Sequence, residues 1–222
     1  MHGITSSTAL WYASRATGVV SLVLLSAVLI IGILVNRRGR LPGLPGFAVL
    51  GLHRNLSLLA VAFVALHVLT AVADSYVSIS VAAAVIPFVS SYEPIWLGLG
   101  AIALDLIAAV IVTSLLRRHI GRRAWRAVHW LAYASWPVAV VHSMFASRDL
   151  QRGPLLGLAL ACIAVVTGAA MWRVARARAA RPRGQGLPGP ALARRLGPAS
   201  DLDPPARRNV QAAQKERRAG AY

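Results

Sequence analysis

Four histidines stand in two pairs of nearly equal spacing. His53 and His67 are fourteen residues apart, and His129 and His142 are thirteen apart. Each pair belongs to an apolar stretch long enough to cross a membrane, where an imidazole is costly and usually marks a functional site. Two such pairs indicate two cofactors at two depths of a bilayer, each held between two helices. The cofactor that takes an imidazole on each side of its metal is b-type haem.

Long apolar segments must position these histidines. Five segments of about 20 residues carry at most one formal charge each: 16–35, 55–73, 94–116, 127–147 and 153–172. At roughly 1.5 Å of rise per residue, each can cross the ~30 Å hydrocarbon core. The composition, 57% hydrophobic and 14% charged, is that of a membrane protein rather than a soluble domain. We therefore predict an all-α fold, an integral membrane bundle of five transmembrane helices.

The formal net charge of +17 follows the predicted topology. Of the 24 Lys and Arg residues, four lie between the first two segments, five between the third and fourth, and twelve after the fifth. Only Arg15, Arg148 and Arg152 remain for the other side. The positive-inside rule then places the N-terminus outside and the C-terminus in the cytoplasm. Because topology alone accounts for the other basic residues, we expect no nucleic-acid partner.

The chain divides into a membrane domain, residues 1–178, and a tail, residues 179–222. The tail is rich in Pro, Gly, Ala and Arg, a composition that predicts a disordered cytoplasmic segment. Its first basic residues could contact anionic membrane lipid, and a solvated tail is the simpler interpretation. Cys162 is the one cysteine, so the sequence carries no motif for covalent haem, an iron–sulfur cluster or a disulfide.

The topology also predicts which histidines pair. Segments two and four run in the same direction, so His53 and His129 hold an inner haem and His67 and His142 an outer one. A spacing of fourteen returns an ideal helix to within ~40° of the same face, whereas thirteen leaves it ~140° away. Pro137 lies between the second pair and can distort its helix enough to realign the two rings.

Each candidate residue also has a simpler interpretation. His53 is the weakest ligand, because it lies at a helix edge beside Arg54 and could be an interfacial residue. If it does not bind, only the outer site has two histidines. His119 and His2 are expected to be solvated. A transmembrane histidine can also serve as an ordinary hydrogen-bonded packing residue, although four in register on two parallel helices are hard to obtain that way.

Two further residues are candidates for supporting roles. Asp105, in the middle of the third segment, could accept a proton during quinol chemistry or orient a ligand imidazole. A structural hydrogen bond is the alternative for Asp105. Tyr133 could pack against porphyrin or assist proton handling, and ordinary packing in the bundle explains it equally well.

Three stretches together resemble a known family. The first is Ser14-Arg15-Ala16-Thr17-Gly18, the second is the histidine pair at fourteen, and the third is RRAWRAVH at 122–129, followed by Tyr133 and by His142 at thirteen. Over residues 11–172 the chain resembles the ferric reductase-like transmembrane domain. This haem-binding core is shared by NADPH oxidases, ferric reductases and the haem-binding membrane subunit of bacterial methionine sulfoxide reductase.

The resemblance implies a relay with two bis-histidine b haems, which carries electrons from the cytoplasmic to the outer face. It also implies that Arg15 pairs with a propionate of the outer haem, a contact well suited to a guanidinium. An interfacial arginine that merely ends the helix is the alternative.

The larger family members continue into cytoplasmic flavin and nicotinamide domains. Here the last 50 residues contain no strand–helix unit with a Gly-x-Gly-x-x-Gly turn that could hold a dinucleotide, and we find no sign of a covalently bound flavin. We therefore expect quinol or a separate cytoplasmic flavin reductase as electron donor, and an outer-face redox partner or ferric iron as acceptor. The compact form looks closer to the methionine sulfoxide reductase subunit than to these larger members, and we expect a bacterial-type cell membrane.

Three functions remain open, and whether the chain is itself an enzyme depends on which holds. The favoured one is an electron-transfer subunit. The second is a self-sufficient ferric or oxygen reductase, which needs an open substrate site that the segment Ser75–Tyr92 could provide or block. The third is a non-redox transporter or scaffold, for which the broken helices and inverted repeats of many transporters are not evident.

Overall fold

The structure, a computed structural model, describes residues 2–35, 45–74, 77, 79–146, 149–179 and 211. Within these residues it is helical and contains no strand. The helices are α1 (His2–Val35), α2 (Gly46–Ala73), α3 (Val81–Val85), α4 (Pro94–Leu115), α5 (Arg117–His129), α6 (Leu131–Ala146) and α7 (Gly153–Ala179), with a 3-10 turn at Asp149–Gln151. The all-α prediction is confirmed for this part of the chain. The tail predicted to be disordered lies outside it, apart from residues 179 and 211.

Among the described residues, four helices are long and apolar enough to cross a membrane. They are Thr8–Leu34 within α1, Gly46–Ala73, Pro94–Leu115 and Gly153–Ala179. The predicted crossing at 127–147 is instead divided at Trp130, which forms a turn between α5 and α6. By itself α6 has 16 residues, which is about 24 Å and shorter than the hydrocarbon core. The prediction of five continuous membrane helices is therefore confirmed for four.

The helices begin earlier than the apolar segments suggest. α1 starts at His2 rather than near residue 16, and α2 starts at Gly46 rather than at residue 55. The backbone hydrogen bonds of a helix do not require apolar side chains, so a helix can continue beyond the hydrocarbon layer. The apolar run therefore predicts the part of a helix that lies in lipid and not its ends.

The bundle is organised around α1. It runs antiparallel to α2, because Ser14 contacts His67 near one end of the pair and Gly32 approaches His53 near the other. On its other side, α1 packs against α6 and α7 through one buried apolar cluster: Leu22, Leu29, Trp136, Val140, Leu150, Ala159 and Val166. α4 packs against α6. Two helix pairs thus face each other, α1 with α2 and α4 with α6.

Polar contacts tie the two ends of the bundle. At one end Arg15 of α1 forms an ion pair with Asp149 of the 3-10 turn. At the other end Arg173 of α7 donates a hydrogen bond to the Tyr133 hydroxyl and lies 4.9 Å from the ring centroid of Trp130. Arg15 was predicted to lie outside, and Arg173, which follows the fifth segment, in the cytoplasm.

A buried hydrogen bond joins α1 to α6. Trp136 donates its Nε1–H to the Ser26 Oγ at 2.9 Å, and both residues are buried. Replacing Ser26 with alanine leaves the indole N–H without its partner, so we expect a loss of about 1–3 kcal/mol in the free energy of unfolding. Thermal unfolding in detergent measures it. The double variant Ser26→Ala with Trp136→Phe should lose less free energy of unfolding than the sum of the two single variants, because both changes remove the same bond. Losses that simply add would contradict a contribution from this hydrogen bond.

Candidate cofactor site

A cavity of about 240 Å³ lies between the two helix pairs. Its walls are mostly apolar and come from α1, α2, α4 and α6, and His67 and His142 lie among the lining residues. The segment between α2 and α4 closes one side through Val77, Ile79, Ala83, Ala84 and Tyr92. An apolar cavity with a few convergent polar groups is the usual form of a cofactor site.

His67 on α2 and His142 on α6 face each other within this cavity. Their ring centroids are 6.3 Å apart. A metal–imidazole bond is about 2 Å long, and a ring nitrogen lies roughly 1 Å from its centroid, so one metal between two rings separates the centroids by about 6 Å. The observed separation therefore fits a single iron held between these imidazoles.

Backbone carbonyls orient both rings. The Nδ1 atom of His67 lies 2.8 Å from the Ser14 carbonyl oxygen, and that of His142 lies 2.8 Å from the Trp96 carbonyl oxygen. Because a carbonyl only accepts, each Nδ1 carries the proton and donates it, which leaves the lone pair on Nε2. Metal-binding histidines almost always donate their second ring N–H in this way. Both rings therefore have the tautomer that a ligand needs.

Glycines make room for the two rings. A Cβ atom built on Gly18 of α1 would lie 3.0 Å from the His67 Cε1, and one on Gly100 of α4 would lie 2.6 Å from the His142 Cε1. In each case the glycine follows the carbonyl-bearing residue, Ser14 or Trp96, by four positions, which is about one helical turn. The backs of the two ligand rings are therefore supported by the same arrangement on two different helices.

α1 repeats this arrangement toward its other end. Gly32 lies fourteen residues after Gly18, and a Cβ atom built on it would lie 3.3 Å from the His53 Cε1. Val28, fourteen residues after Ser14, supplies a backbone carbonyl that interacts with the His53 ring. The contact is looser, because the His53 Nδ1 has no hydrogen bond of normal geometry to the described residues. α1 and α2 thus form two similar half-sites, one for each histidine.

His129 completes the inner pair less fully. It ends α5, stacks on Trp125 with ring centroids 4.9 Å apart, and is close enough to His53 for the two to interact electrostatically. Its buried Nδ1 has no hydrogen-bond partner in the described part of the chain. Thirteen residues beyond Gly100, α4 carries Thr113 and not a glycine. The outer pair is therefore fully supported, whereas the inner pair has this support mainly on the α1 side.

Arg15 lies at the edge of the cavity. Its guanidinium pairs with Asp149 and stacks 3.6 Å from the ring centroid of Trp11. All three residues line the cavity, and the Arg15 side chain is about one-third exposed. A cation is thus available at the cavity mouth, held by a carboxylate of the protein.

The other predicted residues lie away from the cavity. Asp105 has an exposed side chain on α4, and the outer imidazoles use backbone carbonyls as acceptors rather than this carboxylate. Tyr133 accepts the hydrogen bond from Arg173. His119 is exposed, as predicted, whereas the side chain of His2 lies outside the described set. Across the described residues, no three His, Cys, Asp or Glu side chains gather into a site for a bare metal ion.

Sequence reasoning missed the supporting residues Ser14, Gly18, Gly32, Trp96 and Gly100. One signal was present: Gly18 and Gly32 have the same fourteen-residue spacing as the histidines on the next helix. When two antiparallel helices carry residues at equal spacings, the two residues of one helix can both lie opposite the two residues of the other. No such signal marks Ser14 and Trp96, because their backbone carbonyls make the contact and any residue has one.

The break between α5 and α6 also differs from expectation. Pro137 lies inside α6, which continues through it, while the interruption between His129 and His142 is the turn at Trp130. The Trp130 amide still bonds weakly to the carbonyls of Arg126 and Ala127, at 3.3 Å each. The helical segment from His129 to His142 is therefore interrupted directly after His129.

One comparison with known proteins found a match. The family model described as ferric reductase like transmembrane component matches residues 17–140, which is more than half of the chain. The match contains His53, His67 and His129 and ends two residues before His142. No curated protein and no solved structure matches the chain. The extent of the match shows that the chain belongs to the family of ferric reductase-like transmembrane components.

Proposed function

We propose that this protein is a b-type cytochrome subunit that relays electrons across a membrane. Family membership supports a membrane redox component. The observation that carries the finer proposal is the facing pair His67 and His142, whose centroid separation and Nδ1–H hydrogen bonds suit two axial ligands. Haem b bound between such imidazoles supplies reversible one-electron chemistry at its iron.

In this proposal His67 and His142 hold the outer haem, and His53 and His129 the inner one. Ser14 and Trp96 keep the outer rings in the ligand tautomer, and the apolar walls exclude water. The inner assignment is supported by the repeated position of Gly32 and by the proximity of His53 to His129.

The relay needs a fifth crossing, which we assign to the end of α5 together with α6. The arginines of α5 then lie at the cytoplasmic surface, as the positive-inside rule favours. This topology keeps the N-terminus outside and the C-terminus in the cytoplasm of a bacterial-type cell. It also places His129 near the cytoplasmic surface and His142 near the outer one.

Arg15 is proposed to bind a propionate of the outer haem. A guanidinium has five N–H donors in a planar fork. Arg15 can therefore keep Asp149 on one edge and offer another edge to a second carboxylate. Its position among the lining residues of the cavity supports this role.

The segment between α2 and α4 favours a relay over a self-sufficient reductase. It lines the outer cavity, and its Phe88 ring rests on Gly98, where a Cβ atom would lie 2.3 Å from the Phe88 Cδ1. Phe88 adopts a left-handed backbone, with φ of 67°, which this close contact helps to hold. A segment packed along the side of the cavity suits electron transfer to an outer-face partner better than direct binding of an acceptor such as ferric iron.

The test is the haem content and spectrum of the full-length protein, purified from haem-replete cells. We expect two b haems per chain with the low-spin bands of two imidazole ligands. A quinol analogue and NADH with a flavin reductase, added to separate samples, then show which donor reduces them. A colourless preparation would contradict the proposal.

A further inference from the structure

α4 carries one carboxylate at its centre. Asp105 lies eleven residues after Pro94 and ten before Leu115, about 15 Å from either end of the helix. Its side chain is exposed, and it makes no hydrogen bond or ion pair with any residue that the structure describes. Ionisable side chains at this depth almost always face the bundle interior, a water-filled cavity or a partner. Its position is therefore unexplained by the fold of the single chain.

The residues that follow Asp105 form the exposed half of one face of α4. Ala108 and Val112 follow it at the spacings that share a face, and both are exposed. Toward the outer end, the same face contains Gly98 and Ala101, which are buried, and the segment before α4 covers Gly98. The protein thus covers this face as far as Asp105 and leaves it open beyond that residue.

Charge complementarity selects the occupant of this surface. In the described spans, the arginines lie toward the helix ends, as Arg15, Arg54 and Arg173 do. A second copy docked through the same face would bring two Asp105 carboxylates together, which is unfavourable for like charges. A helix with a basic residue at its centre would satisfy the carboxylate, and the small Ala108 would let the two backbones approach.

We propose that Asp105, Ala108 and Val112 form a docking surface for a transmembrane helix of a partner protein, which presents a Lys or Arg at mid-membrane depth to Asp105. The surface lies on α4, outside the lining of the cofactor cavity. The inference therefore does not depend on the proposed function.

The experiment uses the full-length protein in phosphatidylcholine vesicles. The probes are fluorescent leucine helices of about 20 residues, one with a central Arg, one with leucine throughout and one with the Arg near an end. Energy transfer reports their association with a labelled protein. We expect the central-Arg helix to bind about tenfold more tightly than the leucine helix, and Asp105→Asn to remove that difference. Ala108→Leu, which keeps the charge but blocks close approach, should also weaken binding.

Three results would overturn the proposal. The first is equal binding of the central-Arg and leucine helices, and the second is unchanged binding by Asp105→Asn. The third is energy transfer between differently labelled copies of the protein that depends on Asp105, which would identify a second copy as the occupant. An unchanged thermal unfolding midpoint in Asp105→Asn shows that the variant is folded, and it keeps this test independent of the cofactor sites.

Discussion

Replacing His142 with alanine is expected to lower the haem content from two per chain to about one. The substitution removes one of the imidazoles proposed to bind the outer haem, together with the hydrogen bond that this ring donates to Trp96. His67, which faces it at 6.3 Å between ring centroids, then has no opposite ligand. The pyridine haemochrome assay, referred to protein concentration, measures the loss. His119→Ala is the matched control, because that histidine is exposed, and it should keep both haems.

Double variants test which histidines share a site. His67→Ala with His142→Ala should lose no more haem than either single variant, because both changes fall in the outer site. His67→Ala with His129→Ala should leave almost none, because each change disables a different site. If instead the His67/His142 double variant lost almost all haem and the His67/His129 double variant lost no more than a single variant, His67 would share a site with His129. That result would contradict the assignment. Haem content unchanged by all of these substitutions would contradict histidine ligation itself.

Gly100→Ala is expected to lower outer-haem content nearly as much as loss of His142. The added methyl group would lie 2.6 Å from the Cε1 and 2.7 Å from the Nδ1 of that ring. Observed Cβ atoms essentially never approach other atoms that closely, so the imidazole must move and lose its bond to Trp96. Alanine is favoured over glycine in a helix interior by about 1 kcal/mol. Loss of haem in this variant therefore cannot be attributed to a weaker helix.

A graded series of glycine variants supplies the controls. The Cβ distances to the nearest ring atom are 3.0 Å at Gly18 and 3.3 Å at Gly32, and nothing lies within 4 Å at Gly51. We expect Gly18→Ala to lose less haem than Gly100→Ala, Gly32→Ala to lose little, and Gly51→Ala to lose none. Haem assays and the low-spin spectrum measure the series. Equal effects at Gly51 and Gly100 would exclude the steric explanation.

Much of the bundle was predictable, because the insertion of a helix into a membrane depends on the summed hydropathy of residues that are close in the sequence. The apolar runs predicted the cores of α1, α2, α4 and α7. They also predicted a crossing at 127–147, where the structure has a one-residue turn of helical φ/ψ at Trp130 between α5 and α6. There the hydropathy of a window does not show where a helix will break, since that depends on how neighbouring helices pack against it.

The orientation of single side chains was less predictable. Asp105 was expected to serve quinol chemistry, an imidazole or a structural hydrogen bond, and its exposed position offers it no partner among the described residues. Arg15 was expected at the outer haem and contacts Asp149 at the cavity edge. A residue's depth in the membrane follows from its place along the helix. The direction of its side chain depends on which face of the helix packs inward.

The sequence by itself determined the helical class of the described residues. It also predicted two pairs of histidines at two levels, and His67 and His142 do face each other. These features are local, because helical rise and periodicity relate residues of the same helix. Only the tertiary structure decided how the rings are held. Ser14 is 53 residues from His67, and Trp96 is 46 residues from His142. Such contacts arise from the packing of different helices, and a contact made by a backbone carbonyl leaves almost no mark in residue type.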